Sequence, residues 1–310
     1  MTAAPSASAQ PAAPPVAPAA ALPAVDRRAL ALLIAGQTCV GLSPILVRFS
    51  EVPATASAFW RMALALPALM IWARFATGGA HGTVRPGWQG WTLILVAGVA
   101  FAGDLAGLHA AIALTSVANA TFLTHLAPVL VVPLAWAVMG ERPRAATLGG
   151  LALAVIGGAL LAADTGARPG ASGLGDVFGL LAATFFAVYL LTVAMARRRL
   201  AAPLVTLGSA AVCAVALLPA VLLTPGPVLP ATATGWAALI ALGTVTHAMG
   251  HGLTTTALGR LPVGAASLAV MLPPAIAAIL AWPFLGEQPS LTQAAGAVCA
   301  VAAIALARRR

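Results

Sequence analysis

The sequence predicts an all-α membrane protein of ten transmembrane helices, arranged as two inverted five-helix repeats. Three observations predict it. Hydrophobic residues make up 61% of the 310 and charged residues only 7%, with a mean hydropathy of +0.99, whereas a soluble domain carries about 25% charged residues. The block HLAPVLVVPLAWAVMGERP at 125–143 recurs as MLPPAIAAILAWPFLGEQP at 271–289. It aligns Pro128 on Pro274, Trp136 on Trp282, Gly140 on Gly286, Glu141 on Glu287 and Pro143 on Pro289, each pair 146 residues apart. The basic residues, finally, gather on alternate loops.

A spanning helix needs about 20 mostly apolar residues. Ten such segments read along the chain, at about 29–49, 56–76, 89–111, 117–139, 145–163, 173–196, 203–223, 233–254, 263–285 and 290–307. Their apolar runs are continuous rather than alternating, which excludes a β-barrel. Residues 1–24 are Ala, Pro, Ser and Gln with almost no bulky side chains. Too little apolar surface is available there to offset ordering entropy, so a disordered cytoplasmic tail is expected. It lacks the charged start and apolar run of a signal peptide. The first repeat then covers 29–163 (helices 1–5) and the second 173–307 (helices 6–10), joined by the Gly- and Pro-rich linker DTGARPGAS at 164–172. With five helices per repeat, the second copy enters the membrane upside down relative to the first.

The net charge of +9 is a topology code rather than a nucleic-acid signal, because every basic residue is Arg and most stand in short loops. With an inside N-terminus, 13 arginines (27, 28, 74, 85, 142, 144, 197–199, 260 and 308–310) fall inside. Arg48 and Arg168 fall outside, and Arg61 lies within a span. The lipid bilayer is therefore the expected partner surface, in a bacterial inner membrane with both termini cytoplasmic. Cys39, Cys213 and Cys299 lie in apolar segments without CxxC spacing and read as small hydrophobes. A duplicated unit with a helix-breaking proline at matching depth points to a transporter.

The stretches PILVRFSEVPATASAFWRMALALP and GDLAGLHAAIALTSVANATFLTHLAPV, the two WxxxGExP blocks and the Gly-rich helix after each resemble the drug/metabolite transporter superfamily, EamA type. The resemblance covers about residues 30–307. It implies a ten-helix, exporter-like fold around a central cavity and names no cargo.

Candidate site residues follow from polarity at depth. Pro128 and Pro274 sit near the middle of their spans. Each frees the carbonyl four residues back, at Thr124 and Val270, where only a cavity or a neighbour can satisfy it. They read as kinks that shape the cavity and let half-helices rock, or as static packing kinks. Asp104 is the only acidic residue deep inside a span. A carboxylate there costs about 2.5–3.5 kcal/mol on insertion scales. It reads as the proton-coupling site, as a ligand for an amine, or as a structural acceptor between helices. His247 and His251, at i and i+4, share a face and read as a polar pair lining the cavity or as interhelical hydrogen-bonding groups. Two ligands are too few for zinc, so no metal is expected. Asp104 and His251 are expected to form two separate stations on one path. Thr121, Thr124, His125 and Pro128 form a stripe on helix 4, near Asn119, that lines a cavity or binds helices together. Arg61, one turn into helix 2, is expected to snorkel to the outer interface. Glu141 and Glu287 are expected to cap or anchor loops. Small residues at Gly150, Ala154, Gly158, Gly296 and Ala300 suit close packing within the bundle or a homodimer seam.

The sequence thus reads as a secondary transporter, in the outward direction, of a small metabolite or drug by alternating access, with a proton gradient acting through Asp104. It shows no Walker motif, no nucleophile motif and no cofactor-binding pattern. The alternatives are an intramembrane enzyme using Asp104 and the histidines, and a receptor-like or structural membrane protein.

Overall fold

A computed structural model describes residues 26–77, 86–115, 117–163, 173–285 and 290–307. The tail 1–24, the linker 164–172, Glu287, the side chain of Asn119 and the arginines at 85, 168 and 308–310 lie outside the described residues. All regular structure among the described residues is helical. The first repeat comprises α1 (Arg27–Gly41), α2 (Ser43–Phe49), α3 (Ala54–Thr77), α4 (Trp88–Leu114), α5 (Val117–His125), α6 (Ala127–Met139) and α7 (Ala145–Ala163). The second comprises α8 (Gly173–Arg197), α9 (Ala202–Leu223), α10 (Ala233–Ala241), a π-helical segment (Leu242–His251), α11 (Gly252–Leu258), α12 (Val263–Ser267), a 3-10 turn (Leu268–Met271), α13 (Leu272–Leu285) and α14 (Leu291–Ala307).

These elements fall into the ten predicted segments. Eight are long and apolar enough to cross a membrane. Of the other two, α14 has 17 residues, the low end of the spanning range. The other, Ala233–Leu258, is helical throughout, but its hydrogen-bond register widens to π in the middle. The outer surface suits lipid: Phe75, Val215, Leu222 and Leu223 are more than two-thirds exposed, an apolar surface too extensive for a water-facing monomer.

The breaks have local causes. Pro44 ends the α1 ladder, and the chain turns at Leu42 before α2. Pro128 has no N–H for the carbonyl of Thr124. There α5 and α6 part, and Leu126 and Val129 bond three residues back instead of four. In the second repeat the 3-10 turn Leu268–Met271 sits at the positions equivalent to 122–125, just before Pro273 and Pro274. The two repeats therefore kink at matching places. Gly140, at φ 72°, closes α6 in the left-handed conformation that a side chain would strain.

The packing obeys a two-fold exchange of the repeats. Helix α4 lies on α8, and its mate α10–π–α11 lies on α1; α5 and α6 lie on α8, as α13 lies on α1. Equivalent helices meet directly in α3·α9, α6·α12 and α7·α14. In the last pair, Gly150 faces Ala303 while Gly157 faces Gly296 and Cys299, so the two mates run antiparallel. An axis along the membrane normal would leave mates parallel; antiparallel mates require an axis in the membrane plane. The small-residue faces of α7 and α14 are buried against each other: a Cβ on Gly296 would come within 2.7 Å of the Gly157 carbonyl oxygen.

One end of the bundle gathers the arginines. There Arg260 lies 3.7 Å from Asp26, Arg198 lies 3.6 Å from Glu141, and Arg199 donates to Gln89 at 2.6 Å. The end of α14 closes the same groove as Glu141 and Leu30, so the described chain begins and ends on one side.

Candidate functional site

A buried polar cluster lies at mid-depth, and Arg61 organises it. Trp60 faces the loop before α10, donating to the Val228 carbonyl at 2.7 Å. One residue further along α3, the helix has turned about 100°, and Arg61 enters the bundle at only 8% exposure. It does not snorkel, because its partners are inside. Nη1 donates to Ser43 Oγ at 3.3 Å, on the chain just past the Leu42 turn, and Nη2 donates to His251 Nε2 at 3.0 Å. Since guanidinium only donates, His251 Nε2 must accept, which leaves the ring proton on Nδ1. That proton faces the Tyr189 hydroxyl oxygen at 3.3 Å.

An aromatic wall backs this chain. Phe101 of α4 stacks on Tyr189 at 4.6 Å and on His247 at 5.8 Å, and lies tilted against His251 at 5.0 Å. The Arg61 guanidinium carbon is 6.0 Å from the Phe101 ring centre, at the outer reach of a cation–π contact. His247 and His251 stack at 4.8 Å. Both belong to the π segment, a helical form often found at functional sites.

Asp104 stands three residues beyond Phe101 on α4, 6% exposed. Arg61 acts on it electrostatically and also reaches Tyr189, Cys213 and His109. Arg61 thus bonds His251 directly and acts on Asp104 through its field, with no direct Asp104–His251 bond. Five buried atoms here have no protein hydrogen-bond partner: Asp104 Oδ1, Arg61 Nε, His109 Nδ1 and both ring nitrogens of His247. Buried polar groups are normally paired, so this concentration singles the cluster out as the candidate site. Among the described residues, no three of His, Cys, Asp and Glu are placed to hold a metal ion.

The stripe on helix 4 is arranged differently. Thr124 donates to the Ala120 carbonyl at 2.9 Å, and His125 Nδ1 lies 2.7 Å from the Thr121 carbonyl, so these bonds close on their own helix. Pro128 is buried and Pro274 half-buried, each at its kink. Sequence reasoning missed Tyr189, Phe101 and Ser43 as members of the cluster, because nothing local separates them from ordinary packing residues.

Each end of the bundle has a carboxylate that accepts backbone hydrogen bonds across the repeats. At the arginine-rich end, Glu141 accepts from the Val263 N–H at 2.8 Å, beside Arg198. At the other end, Glu51 accepts from the N–H groups of Ala231 and Thr232, both at 3.0 Å, and from the Thr232 hydroxyl. Glu51 adopts φ 59°, the one non-glycine residue in the left-handed region among the described residues. The Thr232 hydroxyl, followed by the backbone donors, holds its carboxyl below the usual carboxylate range.

Two inverted five-helix repeats enclosing a buried ionisable cluster have the architecture of a membrane transporter. The chain belongs to the EamA-like transporter family, which it matches over residues 27–163 and 173–309. It is 28% identical over 205 residues to an uncharacterized transporter of Archaeoglobus fulgidus, covering 66% of this chain and 72% of the relative. A solved structure described only as the crystal structure of a protein shares the fold. Its TM-score is 0.76 at 20% identity, covering 90% of this chain and 96% of that one.

Proposed function

We propose that this chain is a secondary transporter that carries a small metabolite outward by alternating access, with Asp104 as its proton site. One observation carries the reading: a carboxylate buried at mid-depth, with an oxygen that no protein group satisfies, within the field of Arg61. A carboxyl group in apolar surroundings takes up a proton more readily than one in water. A proton-coupled carrier needs such an exchangeable charge.

The kinks at Pro128 and Pro274 suit rocking of half-helices, and Glu51 and Glu141 suit closure of the two ends. The arginine split favours both termini cytoplasmic, and the reading places the chain in a bacterial inner membrane. In this reading the partners are a small-molecule cargo and lipid. A homodimer would use faces other than the α7·α14 seam.

The test is a substrate-panel assay in inverted vesicles, with and without a proton gradient. Asp104→Asn, which keeps size and hydrogen bonding but carries no exchangeable proton, is expected to retain cargo exchange and lose the response to the gradient. An unchanged response in that variant would refute Asp104 as the proton site.

A further inference from the structure

Arg61 is a permanent cation inside the bilayer whose bonds go to neutral acceptors, Ser43 and His251. The ion pairs Arg198–Glu141 and Arg260–Asp26 both lie at the arginine-rich end, away from this cluster. A buried charge without a counter-charge is strongly unfavourable. The one deep carboxylate, Asp104, supplies compensation through its field while leaving Arg61 Nε without a partner.

The interior can be neutral in two ways. In one, Asp104 is ionised and balances Arg61. In the other, Asp104 holds a proton and an anion from outside the protein balances Arg61. Building on the transporter reading, we infer that Arg61 receives a monoanionic carboxylate head group of the cargo, and that Asp104 alternates with it as the counter-charge. The guanidinium fork matches a carboxylate, and Arg61 Nε and a ring nitrogen of His247 supply donors without protein partners. Phe101 and Tyr189 offer a flat wall for an apolar body. A cationic head group would instead have to sit in the field of Arg61.

The charges balance over a cycle. The loaded centre holds Arg61 positive, the anion negative and Asp104 neutral. The empty centre holds Arg61 positive and Asp104 negative. One proton thus joins Asp104 as one anion binds, and both leave on the far side together, so outward flow draws on the cargo's own gradient and acid outside opposes it. Tyr189 from α8 and Cys213 from α9 lie within the field of both Asp104 and Arg61, and His247 and His251 from the π segment and His109 from α4 lie within that of Arg61. His251 is fixed as an acceptor for Arg61, which disfavours a second proton on its ring.

The probes are benzoate, benzylammonium and benzyl alcohol, which share one ring and differ in head-group charge. Each is added to the purified full-length protein in detergent, and thermal unfolding is read. Benzoate alone is expected to raise the melting temperature, and more so as pH falls from alkaline to mildly acid. Loss of a charge-assisted bond predicts affinity weakened about ten- to a hundredfold in Arg61→Gln. Arg61→Lys should keep part of it, which separates a lost receptor from a misfolded chain. Asp104→Asn should bind benzoate with no pH dependence. Stabilisation by benzylammonium, the absence of any benzoate response, or an unchanged benzoate response in Arg61→Gln would overturn the inference. Binding is read without a gradient. Carboxylate-selective binding without flux in proteoliposomes would therefore sink the transporter reading alone, and flux without carboxylate selectivity would sink this inference alone.

Discussion

Trp60 and Arg61 are adjacent in sequence and face different surroundings, Trp60 a surface loop and Arg61 the centre of the bundle. Asp104 was legible in the sequence because no other acid lies so deep. Arg61 was not, because one turn into a span is where a snorkelling arginine also sits; its direction is set by His251, 190 residues away. The His251 bond yields a stability prediction. Removing that acceptor in His251→Ala leaves a buried guanidinium donor unsatisfied, at a cost of about 1–3 kcal/mol. His247→Phe keeps the ring against Phe101 and removes nitrogens that bond no protein group, so it should cost less. Thermal unfolding of the purified variants gives the order; equal losses would mean that the Arg61–His251 bond contributes little. Glu51 makes a second prediction, with a pH sign. Its folded carboxyl lies below the ordinary range, so its contribution is present at neutral pH and is lost as pH falls through that lowered value. Hydrogen exchange at the Ala231 and Thr232 amides reads it directly. Protection should be high at neutral pH, fall in acid, and be low throughout in Glu51→Ala; unchanged protection in that variant would remove Glu51 as the tie.

At the scale of elements, Pro128 and Pro274 announced the kinks of helices 4 and 9, since a missing N–H removes a ladder bond, although Pro67, Pro133, Pro219 and Pro283 lie inside unbroken helices. The π segment Leu242–His251 had no such marker. It contains no proline, and its wide register arises where Gly243 lies against Leu64 and Gly250 against Gly36, contacts that only the folded chain makes. The small-residue spacing of helices 5 and 10 left a dimer seam and an internal seam equally open, and the structure buries those faces within the chain. Gly296→Val tests that seam. Its side chain would press on the Gly157 carbonyl oxygen at 2.7 Å and on Leu161 at 2.8 Å, and overpacking of this kind costs about 1–3 kcal/mol. Gly149→Val meets only the flexible end of Leu306, at 3.2 Å, and should be tolerated. A lower melting temperature for Gly296→Val alone is the expected result; equal melting temperatures would place the two helices farther apart.

For the whole molecule, the ten segments and their duplication were plain from composition and from the 146-residue offset. The helix pairs that meet were not, because α4 on α8 and α10–π–α11 on α1 join surfaces far apart in sequence, and the apolar pattern of α4 is nearly uniform all round. The inverted arrangement predicts that a reporter fused after Arg310 and one inserted in the 224–232 loop lie on opposite sides of the membrane, with the first on the cytoplasmic side. The central claim is that proton and cargo meet at Asp104. It is tested most directly in proteoliposomes holding a pH-sensitive dye, by imposing a gradient of a cargo already shown to be transported. The account predicts that cargo moves protons in the wild-type protein. In Asp104→Asn, proton movement should be absent while cargo exchange continues. Proton movement of wild-type size in that variant, or cargo flux without any proton movement in the wild type, would contradict it.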